Sequence, residues 1–120
     1  MKHLAFIVFL LLVSVPSYSS TQIPKVFQGT WDANDEACKT KYSDMRLVIS
    51  ALAVDYWESS GNLIEVIELN NISLIARFAF SGEGESWESK VTYFLLNEGN
   101  NLVQAFDDGL RVSRIRCPDA

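Results

Sequence analysis

From position 26 onward the chain is a series of short apolar runs cut by turn residues. The clearest run covers 72–81. Ile72, Leu74, Ala76, Phe78 and Phe80 share one parity, and Ser73, Arg77 and Ser81 share the other with Ile75 and Ala79. A period of two marks a strand buried on one face. Positions 86–96 repeat the pattern, with Trp87, Val91, Tyr93 and Leu95 on one parity. Further β-type runs cover 26–32, 45–51, 53–58, 63–69, 102–106 and 110–117. Turn signals separate them: Ser59-Ser60-Gly61-Asn62, Asn70-Asn71, Gly82-Glu83-Gly84-Glu85, a loop over 97–101 and Asp107-Asp108-Gly109. A polar loop over 33–44 holds the one stretch with helical character, near 34–39. Short connections make sequential strands antiparallel neighbours. About eight such strands predict an all-β fold, a single small antiparallel up-and-down barrel, with a β-sandwich as the alternative. An eight-stranded barrel has room for packed side chains or at most one small ligand.

The N-terminus follows a different rule. Lys2 and His3 precede an apolar run over 4–15, Pro16 breaks it, and Ser17-Tyr18-Ser19 offers small residues for cleavage. This predicts a secretory signal peptide over 1–19, a single barrel domain over 20–120 and a periplasmic or secreted product. The run is shorter than the ~20 apolar residues of a membrane span. Without 1–19 the chain keeps all 15 acidic residues against nine basic ones, a net charge of −6. That acidity disfavours nucleic acid and anionic lipid as partners.

Export also changes the reading of the cysteines. Cys38 and Cys117 are the only two, and an even pair in an oxidising compartment predicts one disulfide. The only histidine, His3, falls within 1–19. Catalysis with an imidazole base and a histidine-ligated zinc are therefore not expected. The expectation is a protein that is not an enzyme and uses no cofactor or metal.

Phe27-Gln28-Gly29-Thr30-Trp31 resembles the G-x-W that opens the first strand of calycins: lipocalins, avidins and small bacterial metalloprotease inhibitors. The resemblance implies a tryptophan that closes one end of a barrel beneath a basic residue of the last strand. Trp31 would pair with Arg114 or Arg116 in that structural role. Length, export, one disulfide and the early motif are most similar to the metalloprotease inhibitors, in which an N-terminal segment enters the protease cleft. The matching segment is 20–25. Cys117 departs from that family, whose bridge closes a shorter loop. The chain also resembles small exported proteins of Gram-negative bacteria, which adds no function.

Three clusters carry candidate chemistry. In Tyr42-Ser43-Asp44-Met45-Arg46, Arg46 is placed to pair with a carboxylate, and local hydrogen bonds to fasten the loop. Tyr56-Trp57-Glu58 puts aromatic contact residues beside a rim. Glu83 and Glu85, followed by Trp87 and Glu88, make an acidic hairpin. Its two turn carboxylates fall short of the six to eight oxygens calcium takes, so it suits contact with a basic partner. Together these features favour an exported binding module acting on a protein partner outside the cytoplasm, as an enzyme inhibitor or toxin-neutralising protein. The candidate contacts are Trp57, Glu58, Glu83, Glu85, Trp87, Tyr42 and Arg46. The alternative is a miniature lipocalin-like carrier of a small apolar ligand, with an open cavity lined by Phe78, Phe80, Tyr93 or Phe106.

Overall fold

The computed structural model describes residues 21–119. The expected signal peptide over 1–19 lies outside the described residues. Eight strands, β1 (Gly29–Asp32), β2 (Leu47–Ile49), β3 (Ala53–Asp55), β4 (Ser60–Leu69), β5 (Ser73–Gly82), β6 (Glu85–Leu96), β7 (Asn101–Ala105) and β8 (Arg111–Arg116), follow one another around a closed antiparallel barrel. The sheet closes where Trp31 faces Arg116 and Asp32 faces Ile115. That pairing excludes the sandwich and removes the edges an open sheet would expose.

Alternation decides which side chains fill the interior. Leu74, Ala76, Phe78 and Phe80 of β5 are buried with Val91, Tyr93 and Leu95 of β6, as their parity requires. Leu47, Ile49, Val54 and Leu102 complete the core from the shorter strands. Ile72 falls outside it and is exposed, because β5 begins one residue later. Glu83 and Gly84 take positive φ in the two-residue turn to β6, the conformation that suits a right-twisted hairpin.

The structure corrects the predicted turn at 59–62. Ser60, Gly61 and Asn62 lie in β4, and the chain reverses over 56–59, where the Tyr56 N–H donates to the Ser59 carbonyl at 2.8 Å. The reason is packing. A Cβ on Gly61 would fall 2.6 Å from Cε1 of Phe80, so the glycine makes room for a ring in the neighbouring strand.

One end of the barrel is plugged by the start of the domain. Pro24 leads into a single 3-10 turn over Lys25–Phe27, where the sequence pattern predicts strand. Ile23 and Phe27 are buried, and the Ile23 N–H donates to the Ala51 carbonyl at 2.8 Å. Ile23 thus anchors the described part of the 20–25 segment to the barrel, with Thr21, Gln22 and Lys25 exposed. Above them Trp31 is fully buried and its indole N–H donates to the Phe27 carbonyl at 3.0 Å. The Arg116 guanidinium lies 4.1 Å from the Trp31 ring centroid and donates to the carbonyls of Gly99, Gln28 and Val26. Gly29, at φ 129°, leaves space for that guanidinium; a Cβ there would stand 3.2 Å from its Nη1.

The opposite end carries the loops over 33–46, 56–59, 83–84 and 106–110. The longest is organised from within. Asn34 caps the short helix α1 (Asp35–Lys39) by accepting the Ala37 N–H. Asp32, fully buried, accepts from Ser43 Oγ at 2.7 Å and pairs with Arg46 Nε at 3.1 Å. Cys38 in α1 bonds to Cys117 just beyond β8, with the Cα atoms 5.5 Å apart. The disulfide is suited to an oxidising environment.

Candidate functional site

The end away from the Trp31 plug is a cup of about 620 Å³, within the usual range for small-molecule sites. Its wall is aromatic. Phe80 of β5 is nearly buried, and its ring stacks on Trp87 of β6 with centroids 5.6 Å apart and planes 13° apart. Trp57, Trp87 and Phe106 remain between 42 and 50 % exposed at the mouth, a large apolar surface left to solvent at one place.

The floor is polar. Tyr93 and Gln104 face each other across β6 and β7. Tyr56, from the 56–59 turn, reaches across to meet them. Its hydroxyl donates to Gln104 Oε1 at 2.9 Å and shares a short hydrogen bond with the Tyr93 hydroxyl. Arg114 of β8 enters from the far wall, only 6 % exposed. Its Nε donates to the Met45 carbonyl at 2.7 Å and its Nη1 to Gln104 Oε1 at 3.3 Å, with the guanidinium 5.7 Å from the Tyr56 ring centroid. Of the two candidates for the Trp31 pairing, Arg116 therefore fills that role and Arg114 serves the cup. The two are spaced by two residues and both point inward; register alone separates them, since Trp31 faces Arg116 and Leu102 faces Arg114.

Burial raises the pKa of Tyr56; the Tyr93 hydrogen bond, the Arg114 charge and the Gln104 hydrogen bond oppose it. Tyr93 is pushed well above the usual tyrosine value, first by burial and then by Tyr56, against the opposing charge of Arg114. Both phenols therefore stay protonated at neutral pH and act as hydrogen-bond donors rather than bases. A folded-state pKa above the unfolded value gives stability that is complete below the unfolded pKa, about 10, and is lost as pH rises through the folded value. Resistance to urea should accordingly fall above about pH 10. Tyr93→Phe, which removes the titrating hydroxyl, should flatten that decline; an equally steep decline in the variant would contradict this assignment.

The predicted contact residues separate into three groups. Trp57, Glu58 and Trp87 line the cup, together with Phe80 and Phe106 from the expected cavity. Phe78 is buried in the core instead, and Tyr93 lies beneath the wall with only its hydroxyl joined to the floor. Tyr42 packs edge-on against Trp57, centroids 5.9 Å apart, and extends the rim. Arg46 is committed to Asp32 and to the carbonyls of Ala37, Lys41 and Thr40, so it fastens the 33–46 loop. Glu83 and Glu85 are exposed on the β5–β6 hairpin and do not line the cup. Sequence reading missed Gln104 and Arg114 as floor residues, although a glutamine inside the 102–106 run and an arginine at an inward parity of β8 were the available signals.

Comparison with protein-family models, with curated proteins and with solved structures finds no match to this chain.

Proposed function

We propose that this chain is a periplasmic or secreted binding protein that holds a small organic molecule in the cup, without chemistry on it. The observation that carries this reading is the asymmetry of the barrel. The interior of one end is filled by Ile23, Phe27 and Trp31, while the other end opens between an aromatic wall and a buried polar floor. Concave sites with apolar walls and a few placed polar groups are the usual form of small-molecule sites. The two buried, protonated tyrosines favour recognition over acid–base catalysis. The Trp31–Arg116 closure supports a calycin-like ancestry, which this reading shares with the carrier alternative.

A titration with N-phenylnaphthylamine, a neutral fluorescent aromatic, tests the reading. The probe's emission should rise to saturation at one probe per chain. Ser89→Trp, which places a large side chain into the cup from its wall, should abolish the rise while the protein stays folded. A non-saturating response, or one indifferent to Ser89→Trp, would sink the reading.

A second reading, contact with a protein partner through the rim, is supported by the exposure of Trp57 and by its packing on Tyr42, in a loop held in place by Asp32 and Arg46. It requires a partner whose binding Trp57→Ala weakens and a saturating concentration of the probe does not.

A further inference from the structure

Hydrogen-bond accounting at the floor leaves two donor groups over. Arg114 has nothing but donors, so the Gln104 atom facing it is the carbonyl oxygen. That Oε1 already accepts from Arg114 Nη1 and from the Tyr56 hydroxyl. Tyr56 has spent its one hydrogen on Gln104, so Tyr93 donates to Tyr56. The Gln104 oxygen is thus filled twice and the Tyr56 oxygen once. The Gln104 Nε2 amide and the Arg114 Nη2 amino group have no hydrogen-bond partner among the described residues; both residues are 6 % exposed and line the cup, and the two free groups stay open to solvent there, since the one buried unpartnered side-chain atom among the described residues is Arg77 Nε.

The charge of Arg114 is unmatched as well. Among the described residues the ion pairs are Arg46–Asp32, Arg77–Glu65 and Arg77–Glu88. The two guanidiniums used for structure leave less unspent: Arg46 pairs with the buried Asp32 carboxylate at 3.1 Å, and Arg116 donates from all three of its nitrogens to the carbonyls of Gly99, Gln28 and Val26. Arg114 is more deeply buried and receives only neutral oxygens, Met45 O and Gln104 Oε1. A nearly buried cation with a free amino group beside a free amide calls for an acceptor that carries negative charge.

We propose that the floor binds the carboxylate of a small monoanionic amphipathic acid. The head group sits on Arg114 and Gln104, and the apolar body lies against Phe80, Trp87 and Phe106. This inference rests on the small-ligand reading above and narrows its ligand class. The mouth adds a restriction. Asp44, Glu58 and Asp107 line it, all exposed, with Lys90 as the only cation among the exposed lining residues. Exposed charges are screened over about 8 Å at physiological salt, whereas a buried guanidinium is screened far less. A single negative charge can therefore pass the acidic mouth and reach the floor, while a polyanion is opposed.

Naphthoic acid and its uncharged amide are matched probes, and both can be titrated by calorimetry into the disulfide-bonded chain without residues 1–19, at neutral pH. Naphthoate should bind about tenfold tighter or more, the step expected of one charge-assisted hydrogen-bonded pair, and added salt should not erase the preference. Arg114→Met should reduce it to near parity by weakening naphthoate alone. Arg114→Lys, which keeps the charge without the planar fork, should weaken naphthoate severalfold and serves if the methionine variant does not fold. Equal affinity for acid and amide in the unmutated protein would overturn the carboxylate inference and leave the small-ligand reading standing. A preference that survives both substitutions would overturn the role of Arg114. Failure of both compounds and of N-phenylnaphthylamine to bind would overturn the inference together with the reading it rests on.

Discussion

Loss of the Cys38–Cys117 disulfide should cost about 4–5 kcal/mol, a large share of the 5–15 kcal/mol typical of a domain this size. The bond joins residues 79 apart in sequence, so it removes much of the freedom of the unfolded chain. The native side should change little. The 33–46 loop keeps the Asn34 cap and the Asp32–Arg46 pair, and β8 keeps its ladders to β1 and β7. Urea unfolding of the Cys38→Ser/Cys117→Ser variant should show a midpoint far below that of the oxidised protein. Its slope should be steeper, because a chain without the crosslink exposes more surface. An unchanged midpoint would mean that the bridge contributes little beyond tying one loop.

Trp31→Ala should be nearly as damaging. Truncating a fully buried tryptophan typically costs about 3–5 kcal/mol through lost transfer energy and the cavity left behind. Here the Phe27 carbonyl also loses its indole donor, and the Arg116 guanidinium loses the ring it covers at 4.1 Å. Contacts of the latter kind are worth about 0.5–2 kcal/mol. A double-mutant cycle with Arg116→Met separates that share from the cavity, and a coupling energy in this range is expected. Zero coupling would reduce the G-x-W pairing to simple proximity. Because the plug lies at the far end of the barrel from the cup, probe affinity in Trp31→Ala that still folds should stay close to that of the parent.

How far these features were legible in the sequence depended on their range. Strands β5 and β6 are long, and their inward side chains repeat every second residue, so Leu74 to Phe80 and Val91 to Leu95 could be assigned to the core from parity alone. The disulfide followed from there being only two cysteines. The start of β4 was not legible, because Ser-Ser-Gly-Asn has turn composition and the reason for Gly61 is the Phe80 ring in the neighbouring strand. The 3-10 turn at Lys25–Phe27 was hidden in an apolar run for a similar reason: Phe27 is buried as part of a plug, not as part of a ladder. The floor was hardest to see. Tyr56, Tyr93, Gln104 and Arg114 come from four separate parts of the chain and meet only when the sheet closes. Tyr56 stands 37 residues from Tyr93 and 48 from Gln104, which leaves no local motif. The aromatic rim was partly visible, since Trp57 and Trp87 each stand beside a turn. That Trp57 faces the cup depends on the bend of the chain after β3.

The most direct test of the cup as the binding site uses the three tryptophans as internal reporters. Trp57 and Trp87 line the cup and Trp31 lies in the plug at the opposite end. In proton–nitrogen NMR spectra of the chain without residues 1–19, each indole N–H gives its own signal. Addition of N-phenylnaphthylamine should shift the Trp57 and Trp87 signals along one saturable curve and leave the Trp31 signal in place. Saturable shifts confined to Trp31, or none at any indole, would contradict the account.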